Sequence, residues 1–481
     1  MLYENFDCLV DPLDSTGNTY KIRVLESPAG QAEGIAQLPF SSLELENLVL
    51  NVSFSRTKLR HLRSPKIREV QAFGERLYEA FFADELGKCL ERSLDVIESK
   101  GTGLRLRLRL KDTPKLLELP WEYLYNPTRQ SFFCLSDHTS LIRYLAIPQI
   151  ITPLKVKLPL RALVMVAAPQ DELLLDIEQE WENLNTAAQE LKARGLFEID
   201  RLEIATLNAL SEKLREKDYH IFHFIGHGSF DQHTHTGNVV LEDKYQNGHS
   251  ISGEDLANVL KNEKATLRLA ILNACEGART SCHDTFAGTA QKITQRGIPA
   301  VVAMQFAITD AAAITFTKEF YSRLAKGLSL DRTLAETRQA LYGENHKLEW
   351  ATPVLYMRTP DSKIFEIEEL PPNKLIRPTE PNAMQDEYDR LYAQQTALSV
   401  LHHLNALPKE AKGLSARELV DTLGVGRRGI LIKTLHEQAE AGVIEQVNIQ
   451  KNTFWRISET GKKLVSRLQE SLGTWVQSKR T

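Results

Sequence analysis

The sequence predicts an α/β fold, a mostly parallel sheet flanked by helices, followed by a small separate domain at the carboxyl terminus. Three observations carry that expectation. Between about residue 160 and residue 345, short apolar runs alternate steadily with segments of helical spacing. Several of those runs, such as "RALVMVAAP" (161–169), are apolar throughout, as strands buried on both faces are. From about residue 368, "ELPPNKLIRPTEPNAMQDE" turns rich in proline and polar residues, the texture of a linker.

The elements follow in order. Residues 1–150 read as a mixed α/β region. Within it, "LRLRLRL" (104–110) alternates strictly, the period of a strand with one buried and one wet face. "KLLELPWEYLYNP" suggests a turn of helix closed by Pro127. A second region, 155–368, opens with the strand at 161–169. "DIEQEWENLNTAAQELKARG" (176–195) has helical spacing and a terminal glycine, "FEIDRLEIAT" is a short strand, and "LNALSEKLREKDY" is a helix. The strand "HIFHFIG" comes next, then helix "EDLANVLKN", strand "LRLAILNAC", helix "TFAGTAQKITQRG", strand "IPAVVAMQF" and helix "AAAITFTKEFYSRLAKG". Residues 369–388 form the linker, and 389–474 read as three helices, a hairpin and a last helix. In that domain Ser415 and Glu418 form a capping box, and two short strands flank a turn at Lys451-Asn452.

Composition narrows the function classes. At 481 residues, 42% hydrophobic and 25% charged, the chain reads as ordinary soluble protein with more than one core. A formal net charge of −4 argues against whole-chain affinity for nucleic acid or membrane. The opening "MLYENFDCLV" has no basic cluster ahead of an apolar core, so no secretory signal is expected. The longest apolar stretch, Ile298 to Ile308, is too short to span a bilayer. Five scattered cysteines (Cys8, Cys89, Cys134, Cys275 and Cys282) point to free thiols in a reducing cytoplasm.

In an open parallel sheet, chemistry gathers beyond the carboxyl ends of the strands. His227 and Cys275 each stand just past such an end. A thiol becomes a nucleophile at neutral pH when a neighbour takes its proton, and a histidine on an adjacent strand is placed to do so. Gly226 and Gly228 on either side of the ring would let a substrate backbone pass close. The backbone N–H of Gly228, with that of Cys275, would form an oxyanion hole. His223, four positions earlier in the apolar strand, reads as a core histidine. Zinc is the rival chemistry, since Cys275, Cys282, His283, His233 and His235 are types it accepts. No C-x-x-C pair accompanies them, and neither metal nor cofactor is expected.

At these residues the chain resembles a known family. "HFIGHG" followed by "LNAC" is similar to the CHAT family, caspase-related cysteine proteases that also resemble separases and metacaspases. The similarity extends over roughly 100–360, through "LRLRLRLKDTPKLLELPWEYLYNP" and "GIPAVVAMQFAITDAAAITFTKEFYSRLAKGLSLDRTLAETRQALYG". The resemblance implies a caspase-like sheet and a dyad of His227 and Cys275. It also implies a protein substrate and activity released by a partner, in settings such as bacterial stress or phage defence. "AITD" is similar to a separase "VTD" motif, which implies that Asp310 pairs with a substrate arginine; an acidic partner favours arginine over lysine. Asp310 is equally placed to cap the helix beginning at Ala311. Asp171, in "APQDELL", is a second candidate for the same pocket. Metacaspases carry aspartate two places before the nucleophile, where this chain has Asn273.

The carboxyl-terminal domain resembles winged helix-turn-helix domains, notably in a hairpin followed by "ISETGKKL". Arg427, Arg428 and Lys433 on the recognition helix and Lys451 on the wing would meet phosphates. Glu437 and Glu440 share that helix, and the module would serve equally to recruit a regulatory protein. Two readings follow: a cytoplasmic cysteine endopeptidase regulated through its winged helix, or a DNA-binding regulator whose larger module is a switch or scaffold.

Overall fold

The structure, a computed structural model, describes residues 2–15, 17–53, 63–110, 112–147, 151–171, 177–231, 236–262, 265–274, 286–306, 308–344 and 348–368, and then 414–415, 444–449 and 452–458. The chain divides into two units, Met1–Glu369 and Leu370–Thr481.

The first unit opens with strands β1 (Tyr3–Pro12), β2 (Thr19–Glu26) and β3 (Ala32–Gln37). Helices α1 (Ser42–Ser53), α2 (Arg63–Phe81) and α3 (Asp84–Lys100) follow, then β4 (Gly103–Leu110) and the single turn α4 (Pro114–Leu117). A small hairpin of β5 (Tyr125–Asn126) and β6 (Ser131–Phe132) precedes β7 (Thr139–Tyr144). After β8 (Leu154–Val156) the alternation read from the sequence sets in: β9 (Leu160–Val166), α5 (Ile177–Ala193), β10 (Phe197–Leu202), α6 (Leu207–Glu216), β11 (Ile221–Gly226). An antiparallel side sheet of β12 (Gly228–Asp231), β13 (Thr236–Glu242) and β14 (Gly248–Ser252) interrupts it. The series resumes with α7 (Gly253–Lys261), β15 (Leu269–Ala274), α8 (Ala287–Arg296), β16 (Ala300–Met304), α9 (Asp310–Ala325) and α10 (Leu330–Gly343). It closes with β17 (Pro353–Met357) and β18 (Phe365–Ile367). Side-chain caps start several of these helices: Thr206 accepts from the Ala209 N–H, and Ser252 from the Asp255 N–H.

One sheet of eleven strands runs through the whole unit, in the order β10-β9-β11-β15-β16-β17-β7-β4-β1-β2-β3. Strands β10, β9, β11, β15 and β16 are parallel. At β16 the direction flips, because β17 pairs with it antiparallel. Strands β17, β7, β4 and β1 are then parallel to one another. The carboxyl ends of the first set therefore share a sheet edge with the amino ends of the second. Residues 1–150 and 155–368, which differ in texture along the sequence, supply strands to this one sheet.

The alternating strand β4 departs from its expected wet face. Arg105 and Arg107 are both 4% exposed. Arg105 donates through Nε to Asp331 at 2.8 Å, and Arg107 donates to the Pro360 carbonyl. Arg109 pairs with Asp7 on β1. The period-2 pattern is real, but its polar face is a second interior: each buried guanidinium finds a carboxylate or carbonyl, which lets its charge leave water.

In the second unit, β19 (Leu414–Ser415), β20 (Ile444–Ile449) and β21 (Asn452–Ile457) form a sheet ordered β19-β21-β20. Ile449 opposes Asn452, so Asn452 belongs to the strand rather than to the turn. Ser415, read as a helix cap, pairs with Phe454. The helices expected around this sheet lie outside the described residues.

Candidate active site

β11 is built from isoleucine, phenylalanine and histidine, and every residue in it is buried. Its faces divide cleanly: Ile221 and Ile225 enter one core, Phe222 and Phe224 the other. β15 lies beside it in parallel register, with Ile221 opposite Leu269, Ile225 opposite Asn273 and Gly226 opposite Ala274. The last described residues of the two strands are thus neighbours, and the next residues in sequence are His227 and Cys275. Residues 275–285, with Cys275, Cys282 and His283, lie outside the described residues, as do His233 and His235.

His227 is 4% exposed. Its carbonyl accepts the Val240 N–H of β13 at 3.0 Å. A trans peptide sets its C=O and N–H in opposite directions, so the Gly228 N–H of that same peptide points away from β13. Gly226 has a different reason from the open approach expected for it. A Cβ there would lie 2.8 Å from the Phe224 ring and 3.0 Å from the Ala167 carbonyl oxygen. Glycine at 226 is what lets this strand end pack against the segment after β9.

The other histidines of the run are structural. His223 is buried, and its Nδ1 lies 2.7 Å from the Tyr321 hydroxyl. Burial pushes its pKa down to about 3. At the start of the strand, His220 Nδ1 accepts the Arg161 N–H at 3.0 Å, and burial lowers its pKa to about 4. Neutral rings suit both places, as expected for His223.

The two acidic candidates stand on the same edge. Asp171, exposed in the loop after β9, accepts the Gly248 N–H at 2.5 Å and so holds the start of β14. Beside it the Ala168 N–H reaches Glu242 at 3.1 Å. Asp310 is the first residue of α9, but the cap is its neighbour: Thr309 Oγ1 accepts the Ala312 N–H at 3.4 Å. Thr309 itself donates its N–H to Glu349 at 2.8 Å. Asp310 therefore sits one position inside the helix, after the cap.

Two features at this edge add to the sequence reading. Asn273 is 6% exposed, and its Oδ1 has no hydrogen-bond partner among the described residues. Just past β16, Gln305 donates to the fully buried Glu122 at 3.0 Å and to the Ala351 carbonyl at 2.8 Å; Arg143 of β7 also pairs with Glu122, at 3.2 Å. Glu122 belongs to "PWEYLY", an apolar stretch whose lone carboxylate is the one local signal of such a network.

Among the described residues, no group of three His, Cys, Asp or Glu side chains could hold a metal ion. No helix among them is long and apolar enough to cross a membrane. Cys8, Cys89 and Cys134 are buried free thiols; burial raises the Cys8 thiol strongly and the Cys134 thiol to about 12, which leaves both unreactive. Arg427, Arg428, Lys433 and Lys451 lie outside the described residues.

A family model described as CHAT domain matches residues 71–365. Comparison with curated protein sequences gives no match. A chain in the 3.0 Å crystal structure of the Saccharomyces cerevisiae separase–securin complex is similar at 13% identity and TM-score 0.43. The similarity covers 74% of this chain and 30% of that one. The 2.6 Å structure of the same complex gives 13% identity, TM-score 0.40 and the same coverage, 74% and 30%. The Drosophila initiator caspase Dronc gives 10% identity and TM-score 0.27, over 48% of this chain and 96% of that one. This chain thus spans under a third of the chains from the separase–securin complex.

Proposed function

The chain belongs to the CHAT domain family, and on that premise we propose that it is a cysteine endopeptidase with Cys275 as nucleophile and His227 as base. The observation that carries this reading is the register of β11 and β15. Gly226 opposes Ala274 at the carboxyl ends of adjacent parallel strands, and the histidine and the cysteine are the next residue of each. In the proposed reaction His227 takes the thiol proton, and the thiolate attacks the scissile carbonyl. The tetrahedral oxyanion is held by the N–H groups of Gly228 and Cys275, and His227 returns the proton to the leaving amine. The direction of the Gly228 N–H, away from β13, supports its part.

Cleavage after a basic residue belongs to the same proposal. Asp310 is the preferred partner for the substrate cation, since the Asp171 carboxylate already holds the Gly248 N–H. Action in the cytoplasm on a protein substrate, and control by a partner or DNA through residues 389–474, complete it. The test is cleavage of peptides that differ only at the residue before the scissile bond. Wild type should cut after arginine, and Cys275→Ala and His227→Ala should each lose at least about a thousandfold in kcat/KM. Equal cleavage by wild type and Cys275→Ala would refute the assignment. Asp310→Asn should weaken arginine cleavage selectively; a uniform loss across peptides would place Asp310 in the helix start alone.

A further inference from the structure

Directly after His227 the chain enters the side sheet, and the register there fixes what stands beside the ring. Ser229 of β12 opposes Asn238 of β13, and Gly228 opposes Val239. One step back, the His227 carbonyl takes the Val240 N–H, so His227 stands opposite Val240. The two faces of this sheet differ. Val239, Leu241 and Ile251 enter the same core as Phe222 and Phe224. Alternation places Ser229, Asn238 and Val240 on the other face, together with the ring of His227. That face is concave: the Ser229 and Ser250 hydroxyls, from the two outer strands, meet at 3.1 Å.

Asn238 therefore lies diagonally across from His227, on the strand that hydrogen-bonds the His227 peptide itself. Diagonal pairs on one face of a ladder sit roughly 7–8 Å apart, within reach of an amide and an imidazole. The Asn238 Oδ1 is buried and has no hydrogen-bond partner among the described residues. Such an acceptor is costly, because water has been removed and nothing replaces it. A donor on this face would satisfy it. A histidine that takes a proton from a thiol carries an N–H on its far ring nitrogen, and an acceptor there fixes both the tautomer and the ring plane. Bonds of this kind are often open in a resting enzyme and tighten when substrate binds.

The geometry points to Asn238 as the positioning residue of His227: its Oδ1 accepts the ring N–H that faces away from Cys275 and holds the imidazole toward the thiol. The assignment rests on the His227–Cys275 reading. Asn273 also carries a buried Oδ1 without a partner among the described residues, but it lies on β15, whose ladder with β11 ends before His227. The test uses full-length protein and two readouts: the rate at which iodoacetamide alkylates Cys275, followed by mass mapping, and kcat and KM on an arginine peptide. Asn238→Leu keeps the size of the side chain and removes the acceptor. It should slow alkylation of Cys275 about tenfold and lower kcat by a similar factor, with KM and melting temperature unchanged. Asn238→Asp, which restores an acceptor, should recover most of both. If Asn238→Leu does not fold, Asn238→Ala is read against Asn238→Asp in its place. An unchanged alkylation rate, an equal loss in the leucine and aspartate variants, or the same loss found instead in Asn273→Leu would overturn the assignment. His227→Ala separates the two readings. If it slows alkylation and Asn238→Leu does not, the positioning role alone falls; if it leaves the rate unchanged, the dyad falls and the role of Asn238 with it.

Discussion

His220 and His223 show how a single buried ring writes itself into the pH dependence of the whole molecule. Their pKa values fall to about 4 and about 3, in both cases chiefly through burial. Unfolding returns each to its ordinary value near 6.5, so the unfolded chain binds protons the folded chain refuses. The stability these rings lend is complete above pH ~6.5 and drains away as pH falls toward their folded values. At pH 5 the loss should be about 2 kcal/mol per histidine. Urea midpoints at pH 7 and pH 5 measure it, and His223→Phe should flatten the slope while leaving peptide cleavage near wild type. A slope unchanged by that substitution would mean that other groups set the acid sensitivity. His223 was legible from sequence, as a histidine inside a strand of isoleucine and phenylalanine. The reason for Gly226 was not, because Ala167 is far away along the chain.

Among the elements, β4 shows the limit of pattern reading. Alternation of leucine and arginine states the period of the strand correctly, but it cannot say what covers the arginine face. The answer comes from Asp331 at the start of α10 and Asp7 on β1, distant in sequence and adjacent in space. Removing one partner of a buried pair strands the other charge in the interior. Asp331→Ala should therefore cost about 3–5 kcal/mol, read from chemical denaturation. The double change Asp331→Leu with Arg105→Met should recover most of the loss, and failure to recover it would assign Asp331 a role beyond charge pairing. The start of α9, by contrast, is held by a local contact, from Thr309 to the Ala312 N–H. Thr309→Ala should cost about 1 kcal/mol through the lost cap, and a change near zero would pass that role to a neighbour.

Over the whole first unit, continuity of the sheet decides what can fold alone. β17 closes the 155–368 region, yet its outer side pairs with β7 from residues 1–150. Cutting the chain between them would expose β17 as an edge and remove the partners of the buried arginines. Residues 1–369 should unfold in one calorimetric transition, and a 155–368 fragment should lack a cooperative transition at the same temperature. Two separated transitions in 1–369 would contradict a single cooperative unit.

By itself, the sequence determined the α/β class, the alternation of the main-sheet strands with their helices between residues 160 and 325, the core role of His223 and the family resemblance carried by "HFIGHG" and "LNAC"; the side sheet β12–β14 and helix α10 were not among its readings. The properties it determined are local, set by the period of apolar residues and by the few residue types a strand end tolerates. Tertiary structure alone decided that two textures of sequence share one sheet, that the sheet reverses at β17 and that the arginines of β4 are interior. Each of these depends on partners brought together from far along the chain, and periodicity holds no record of which strand lies beside which.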